Sequence, residues 1–439
     1  MARFRYTGVS ALAVVGIAVT GAAMITGGNG NGATSAAVTG RSGAGPASAA
    51  HAARNARHET WTQRVDGSTA LAGAKLTGDG ARFDPIRRRL RQNGGGHSPD
   101  AATEGSAEFP AHRLARPSRK LTVTLDSELP PGSDVTAEVR GRAGDGFWTE
   151  WTPASNGGTV TLPRPAGTVQ VRAVMTPGLH GARPSVRAVS VTTTTARKPL
   201  SKPKNHPAYG ARIFATREGL VGGRTANGYV IRPNDHFVAL PSRRALSSKG
   251  GGAYTVRVCA HERCDYAPVW DVGPWNIRDN HWHHPRQWNK LKRGLPQAQA
   301  AYQKGFNHGR DGLGRRVLNP AGIDVGDGTA RESLGINDGG WVHVTYVWTG
   351  VYPRTATIHA RKGWRKASLY RGPSRKSAFV GYADDGVQVG VNCQAKGPAA
   401  IGRYGVSRLW DHIGPHVYIP HAYIGRDDKR TLRACRPGE

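Results

Sequence analysis

Short runs of alternating apolar and polar residues, each closed by glycine, proline, asparagine or aspartate, recur from Thr60 to Ile424. Period-two alternation belongs to strands with one buried face, and many short runs of this kind restrict a chain to sheets closed into sandwiches or barrels. The 59 glycines and 28 prolines supply the turns. A helix is expected from Pro296 to Lys304, where proline opens a short apolar-polar run. A mainly β protein is therefore expected, and at 439 residues it has room for about two to four domains.

The chain begins with Arg3 and Arg5, continues uncharged and apolar from Thr7 to Thr26, and then turns Gly, Ala, Ser and Thr rich. That is the pattern of a secretory signal peptide and low-complexity linker, assigned to residues 1–50. No later stretch approaches the roughly 18 apolar residues of a membrane span, so no membrane association is expected after signal cleavage. Residues 58–195 read as a β-sandwich, with runs at Leu121–Leu125, Val135–Val139, Phe147–Trp151, Thr159–Leu162, Thr168–Val174 and Ser185–Val191. Asp84 to His112, with Arg87, Arg88, Arg89 and Arg91, reads as a basic loop. Trp148 and Trp151 read as core or corner packing in preference to a platform for sugar rings. Residues 196–207, with Lys198, Pro199, Lys202, Pro203 and Lys204, form an extended linker to two further domains, 208–350 and 355–435.

Sixty-one basic residues face 30 acidic ones, a net charge of +31, which bears on partners more than on fold. Export argues against nucleic acid. Outside a bacterial cell the abundant polyanion is the wall, so peptidoglycan or another anionic wall polymer is the expected partner of a secreted, wall-associated monomer. Four cysteines in such a chain point to two disulfides. Cys259 and Cys264 flank Ala260, His261, Glu262 and Arg263 between strand-like runs and should close a hairpin, which leaves Cys393 to pair with Cys435. His281 and His283 fall on one side of a strand, but no carboxylate accompanies them at ligand spacing, and no metal or cofactor is assigned.

The chemistry centres on Ala267, Pro268, Val269, Trp270, Asp271, Val272, Gly273, Pro274 and Trp275. One carboxylate interrupts a β-branched, apolar run just before Gly-Pro stops it, which places Asp271 where a buried strand breaks into a turn. Two readings stand side by side. Asp271 is either a partly desolvated acid that holds and donates a proton, or a turn residue that only accepts backbone N–H bonds.

The order Gly223-Arg224-Thr225-Ala226-Asn227-Gly228, then the apolar run from His236, then Val269-Trp270-Asp271-Val272-Gly273-Pro274-Trp275, then Gly322-Ile323-Asp324 resembles the double-psi β-barrel of rare lipoprotein A and the expansins. The resemblance implies a six-stranded barrel over residues 208–350, with Asp271 as the essential acid and Asp324 as the aspartate after the turn. It also makes His236 the nearest counterpart of the family's histidine. Two departures stand out: Tyr229 occupies the position where lytic members carry a second carboxylate, and residues 276–322 form an insertion. That insertion holds Trp282, Trp288, Tyr302 and Phe306 among histidines and arginines, and reads either as one wall of a substrate groove or as a packed aromatic flap. From Thr355 to Arg430, the runs Ser368–Ser374, Gly386–Gln394, Tyr404–Trp410 and Val417–Ile424 resemble the bacterial SH3-like domain. This resemblance implies a small barrel that binds wall peptides or cross-bridges, or only stabilises its neighbour.

The leading expectation is cleavage of peptidoglycan glycan strands by a lytic-transglycosylase mechanism. A single Asp protonates the glycosidic oxygen and then takes the proton of the sugar's own C6 hydroxyl. Asp271 fills that role, assisted by His236, with Asp235 as an outside candidate. Trp275, Tyr229, Asn227, Trp282 and Trp288 are expected along the sugar chain, and Asp324, Gly273 and Pro274 secure the turn. The alternative is a non-hydrolytic, expansin-like protein that binds and loosens polysaccharide, which the missing second carboxylate favours. No nucleophile elbow supports a wall peptidase or amidase.

Overall fold

The computed structural model describes residues 58–85, 104–144, 146–195, 204–424 and 432–439. The expected leader and linker of residues 1–50, the arginine run 87–91 and most of linker 196–207 lie outside them. The fold is mainly β, as the alternation requires.

Six strands close the central barrel, in the order Val238–Leu240, Ala321–Gly326, Gly210–Glu218, Gly339–Tyr346, Thr255–Ala260 and Arg263–Val272, which pairs back with Val238–Leu240. Two junctions are parallel, Gly210–Glu218 with Ala321–Gly326 and Val238–Leu240 with Arg263–Val272. The other four are antiparallel, so the closed barrel is mixed. Alternate residues fill the interior: Ile213 and Ala215, Val238 and Leu240, Val256 and Val258, Ala267 and Val269, Ile323 and Val325, Val342 and Val344 are all buried in one cluster.

Residues 58–195 form a ten-stranded antiparallel sheet around its own core of Leu121, Val123, Val139, Val171 and Val189 among others. Thr159–Leu162 and Thr168–Val174, which read as two strands, belong to one long strand, Thr159–Thr176, and Gly105–Glu108 is a strand where a loop was expected. The long strands His112–Glu128 and Thr159–Thr176 pair through register breaks between Arg113 and Lys120, which bend the sheet over its core.

The segment Phe147–Trp151 is not a strand of that sheet. It touches the sheet through one isolated bridge, Trp148 with Arg142, and Phe147, Trp148 and Trp151 enter the barrel's own apolar cluster. The Trp151 N–H donates to Arg244 O at 2.9 Å, its indole donates to Leu246 O at 3.0 Å, and Tyr254 Oη donates to Thr149 O at 2.6 Å. The guanidinium groups of Arg140 and Arg172 each lie 4.3 Å from the Trp151 ring. The two tryptophans are thus core, as preferred over a sugar platform.

In the C-terminal part, Lys366–Tyr370, Phe379–Asp384, Cys393–Gly402, Gly405–Gly414 and Val417–Pro420 form a small antiparallel sheet. It continues the central barrel, because Gly381, Tyr382 and Ala383 pair in parallel with Cys264, Asp265 and Tyr266. Gly381 is required at this seam: its φ is +132°, and a Cβ there would lie 1.8 Å from Cys264 O. The described residues fall within one compact unit, Ala50–Glu439.

Both expected disulfides are present. Cys259 and Cys264 face each other across the hairpin, and Cys393 joins Cys435 across 42 residues. The second bond holds a tail that meets the sheet through Gln394 N–H to Arg433 O at 3.0 Å, Cys435 N–H to Gln394 O at 2.9 Å and Tyr418 Oη to Glu439 O at 2.5 Å. Replacing both Cys393 and Cys435 by serine should therefore lower the urea-unfolding free energy by about 2–4 kcal/mol. An oxidised native chain and the double variant compared side by side would show it, and coincident midpoints would contradict it.

Candidate functional site

The sequence-expected residues separate into two places. The first surrounds Asp271. Val238 pairs with Val269, but Ala239 pairs with Asp271, so one extra residue enters the longer strand at this point. Such a bulge re-aims the side chain that follows it. Asp271 therefore shares the outward face of Ala239 and not the inward face of Val269. Ala239 also pairs with Asp324, and Asp324 with Thr216, which sets Thr216, Asp324, Ala239 and Asp271 in one row across four strands. Thr216 Oγ1 donates to Asp324, which supports the structural role expected of that aspartate.

Outward does not mean open. Asp271 is fully buried, and its Oδ1 accepts the Ala226 and Val272 N–H groups, each at 2.8 Å. Asn227 builds the turn that delivers the Ala226 amide. Its Oδ1 accepts from Thr225 Oγ1 at 2.6 Å and from the Tyr229 N–H at 3.1 Å, while its Nδ2 donates to Ser247 O and Ser248 O. All of Asn227's amide capacity is thus spent within the chain. Gly228, at φ +85°, closes the turn against the strand Ala70–Ala72, and a Cβ on it would lie 3.2 Å from Ala72 Cβ. The N-terminal sheet therefore packs directly over the loop that covers Asp271. Arg140 Nη2 to Ser248 Oγ at 2.8 Å and the Arg243–Glu104 ion pair fasten it there.

The aromatic residues expected to line a cleft do not do so. Trp275 is buried against Ala298, Ala301, Val317 and Ala321, with its indole N–H on Asn319 Oδ1 at 2.9 Å. Trp282 is fully buried, stacked on Tyr346 at 5.2 Å and edge-on to Trp348 at 6.0 Å. Trp288, partly buried, meets the edge of Phe306 at 5.8 Å. The insertion is a packed flap, including the expected helix at Gln297–Lys304, and sequence alone did not distinguish it from a groove wall. His281 is buried in the same flap. Its burial, with Arg286 nearby, depresses its pKa to about 3, so it is neutral.

The second place is a charged cluster where the barrel meets the C-terminal module. His236 is buried, and its Nδ1 lies 2.7 Å from Asp265 Oδ2. Its Nε2 lies 3.4 Å from Glu332 Oε2 and 3.0 Å from Lys366 Nζ, while Lys366 also bonds Glu332 and sits 4.1 Å from the Tyr382 ring centroid. Asp235 pairs with Arg365 at 2.6 Å, and the same guanidinium nitrogen bonds Tyr229 Oη at 2.6 Å. Tyr229 in turn packs against Trp270, tilted by 34° at a centroid distance of 4.3 Å.

Electrostatics follow from these contacts. Burial opposes protonation of His236, but Asp265 outweighs it and holds the imidazole pKa above its ordinary value. Burial, with Asp235 beside it, raises the Tyr229 phenol. Burial also raises the Asp384 carboxyl to about 8, helped by Asp265 and Asp235 and opposed by His236 and Arg365. Asp265, Glu332, Arg365, Lys366 and Asp384 were not singled out from the sequence. Asp265 carried the same signal as Asp271, a carboxylate within an apolar strand. Arg365, Lys366 and Asp384 carried none, because they reach the cluster from another module.

Asp271 and His236 are thus not brought into one catalytic constellation; each is covered by a different flanking module. A family model described as a domain of unknown function, DUF8814, matches residues 209–345, which coincide with the closed barrel. No curated protein matches the chain.

Proposed function

We propose that the protein is a secreted, wall-associated binding protein whose central barrel is a non-hydrolytic, expansin-like module holding together two flanking β modules. One observation carries this reading: Asp271, the acid in the family's essential position, is fully buried with Oδ1 accepting two backbone amides. A general acid must come within hydrogen-bond reach of the glycosidic oxygen, and a side chain sealed beneath a loop and a sheet does not. Tyr229, in place of the second carboxylate, points the same way, since its hydroxyl is bound by Arg365. The apolar leader-like start, the paired cysteines and the +31 charge support export and attachment to an anionic wall.

The lytic reading keeps one specific support, the Asp265–His236–Glu332 chain, whose Glu332 end reaches solvent. Incubating the full-length chain with purified walls separates the two. Binding that weakens with added salt and releases no anhydro-sugar or new reducing ends supports the proposal, whereas product release from the native chain overturns it. Asp271→Asn should leave wall binding unchanged and cost little stability, because its Oδ1 still accepts both amides, whereas Asp271→Ala should lower unfolding stability by about 1–3 kcal/mol, because both buried amides lose their acceptor. A stable Asp271→Asn variant that loses a measured cleavage activity would establish the catalytic role instead.

A further inference from the structure

The strand Lys366–Tyr370 and the turn His421–Tyr423 bound an open groove on the C-terminal module. Arg361, Lys366 and Arg375 line it together with Trp364, Tyr370 and Tyr423, and none of its lining residues is acidic. Folding accounts for only part of this. Arg375 donates to Ile401 O at 2.9 Å, and Lys366 is anchored by Glu332. Trp364, however, leaves 65% of its surface in water at the groove's edge, and Arg361 beside it is exposed. An exposed indole in a groove lined by arginines and no acid is a surface suited to an anion that carries an apolar or ring-shaped backbone.

We propose that this groove binds a phosphodiester-linked wall polymer, a sugar- or polyol-phosphate chain, with Arg361 and Arg375 on successive phosphates and the backbone of the polymer against Trp364. The inference rests on the wall-binding reading and names its ligand class and place. A phosphodiester suits the site better than a peptide carboxylate for two reasons. The planar guanidinium fork pairs with phosphate oxygens in two parallel bonds. A chain charged at every repeat also engages several cations at once and gains from the excess positive charge of the protein beyond the groove.

The test is titration of the full-length chain with soluble poly(glycerol phosphate), followed by calorimetry at two salt concentrations. Trp364→Ala, and separately the pair Arg361→Gln with Arg375→Gln, should each weaken binding by about tenfold or more. A charge-matched control, Arg113→Gln with Arg116→Gln on the exposed face of the N-terminal sheet, should change it less than about twofold, the level of ordinary screened surface charge. Because the Trp364 side chain is exposed, Trp364→Ala should keep the native melting temperature and so report on binding alone. Groove variants that bind no worse than the control overturn the assignment. Polyglutamate of equal charge binding as tightly as the phosphate polymer also overturns it, in favour of an acidic peptide. Failure of this proposal and of the wall-binding reading are distinguishable. Walls that retain the groove variants in full leave wall binding standing and remove the groove. Polymer binding in the groove without retention on walls does the reverse.

Discussion

Glu150→Ala is expected to lower the unfolding free energy by about 3–5 kcal/mol, the cost of removing one partner from a buried charged network. Glu150 sits at the tip of the Phe147–Trp151 segment, inside the junction between the N-terminal sheet and the barrel. Its Oε1 accepts the indole N–H groups of Trp282 at 2.8 Å and Trp348 at 3.2 Å, and its Oε2 meets Arg244 at 3.2 Å and His283 at 3.1 Å. Truncation strands two indole donors and leaves Arg244 without its counter-ion. Burial opposes ionisation of Glu150, yet His283, Arg244 and Trp348 outweigh it and hold the carboxyl below its ordinary pKa. The stability it contributes is thus present above the unfolded pKa of about 4.3 and is lost as pH falls below it. Glu150→Gln, which keeps an acceptor for the indoles but not the charge, should lose less. Urea unfolding at pH 7 checks both, and an alanine variant within about 1 kcal/mol of native would show that the carboxylate does not hold the modules together.

The second large effect is a pH dependence of opposite sign. The folded-state pKa of Asp384 is raised to about 8 by burial, so the native chain retains a proton that the unfolded chain, at about 3.9, has already released. Stability from this group is present below the unfolded pKa, declines by up to about 1.4 kcal/mol per pH unit, and levels off above the folded pKa. His236 acts in the same direction, because its raised pKa gives stability that is complete below about 6.5 and is lost as pH rises. Asp384→Asn mimics the neutral carboxyl. It should remove most of the decline between pH 5 and 8 and leave the variant more stable than native at pH 8. Denaturant midpoints measured at each pH unit for both proteins decide it: parallel profiles would mean that Asp384 ionises normally in the folded chain. This window lies above the acid loss expected of Glu150, so the two effects do not overlap.

Much of the barrel was legible because period-two alternation is a local property. The runs flanking Cys259 and Cys264, the apolar stretch before Gly273 and the Gly322-Ile323-Asp324 segment fall on strands, and the Cys259–Cys264 hairpin closes as its short spacing implies. The extent of the long strand Thr159–Thr176 was not legible, since Pro163, Pro165 and Gly167 read as turn signals, while its pairing partners carry it past them. For Asp271 the sequence left two roles open, and the choice fell to a bulge at one register position and to Gly228 packing against Ala72, contacts made by residues far apart in the chain. The aromatic insertion was ambiguous for the same reason. Trp282 is core because Tyr346, Trp348 and Glu150 surround it, and none of these is its neighbour in sequence.

By itself the sequence determined that this is a mainly β protein with a local Cys259–Cys264 hairpin and a large excess of basic residues, since each follows from local pattern or from composition, while a barrel over residues 208–350 was what the family resemblance implied. Only the tertiary structure decided which polar residues are sealed and which are reachable. Asp271 lies under the N-terminal sheet, and His236 is locked by Asp265, Glu332 and Lys366, whereas Trp364 and Arg361 stand open on the far module. The reason is physical: solvation and pairing of a side chain are set by whatever packs on it, and for Asp271 and His236 that is a barrel loop covered by the N-terminal sheet in one case and barrel carboxylates joined by Lys366 of the C-terminal module in the other.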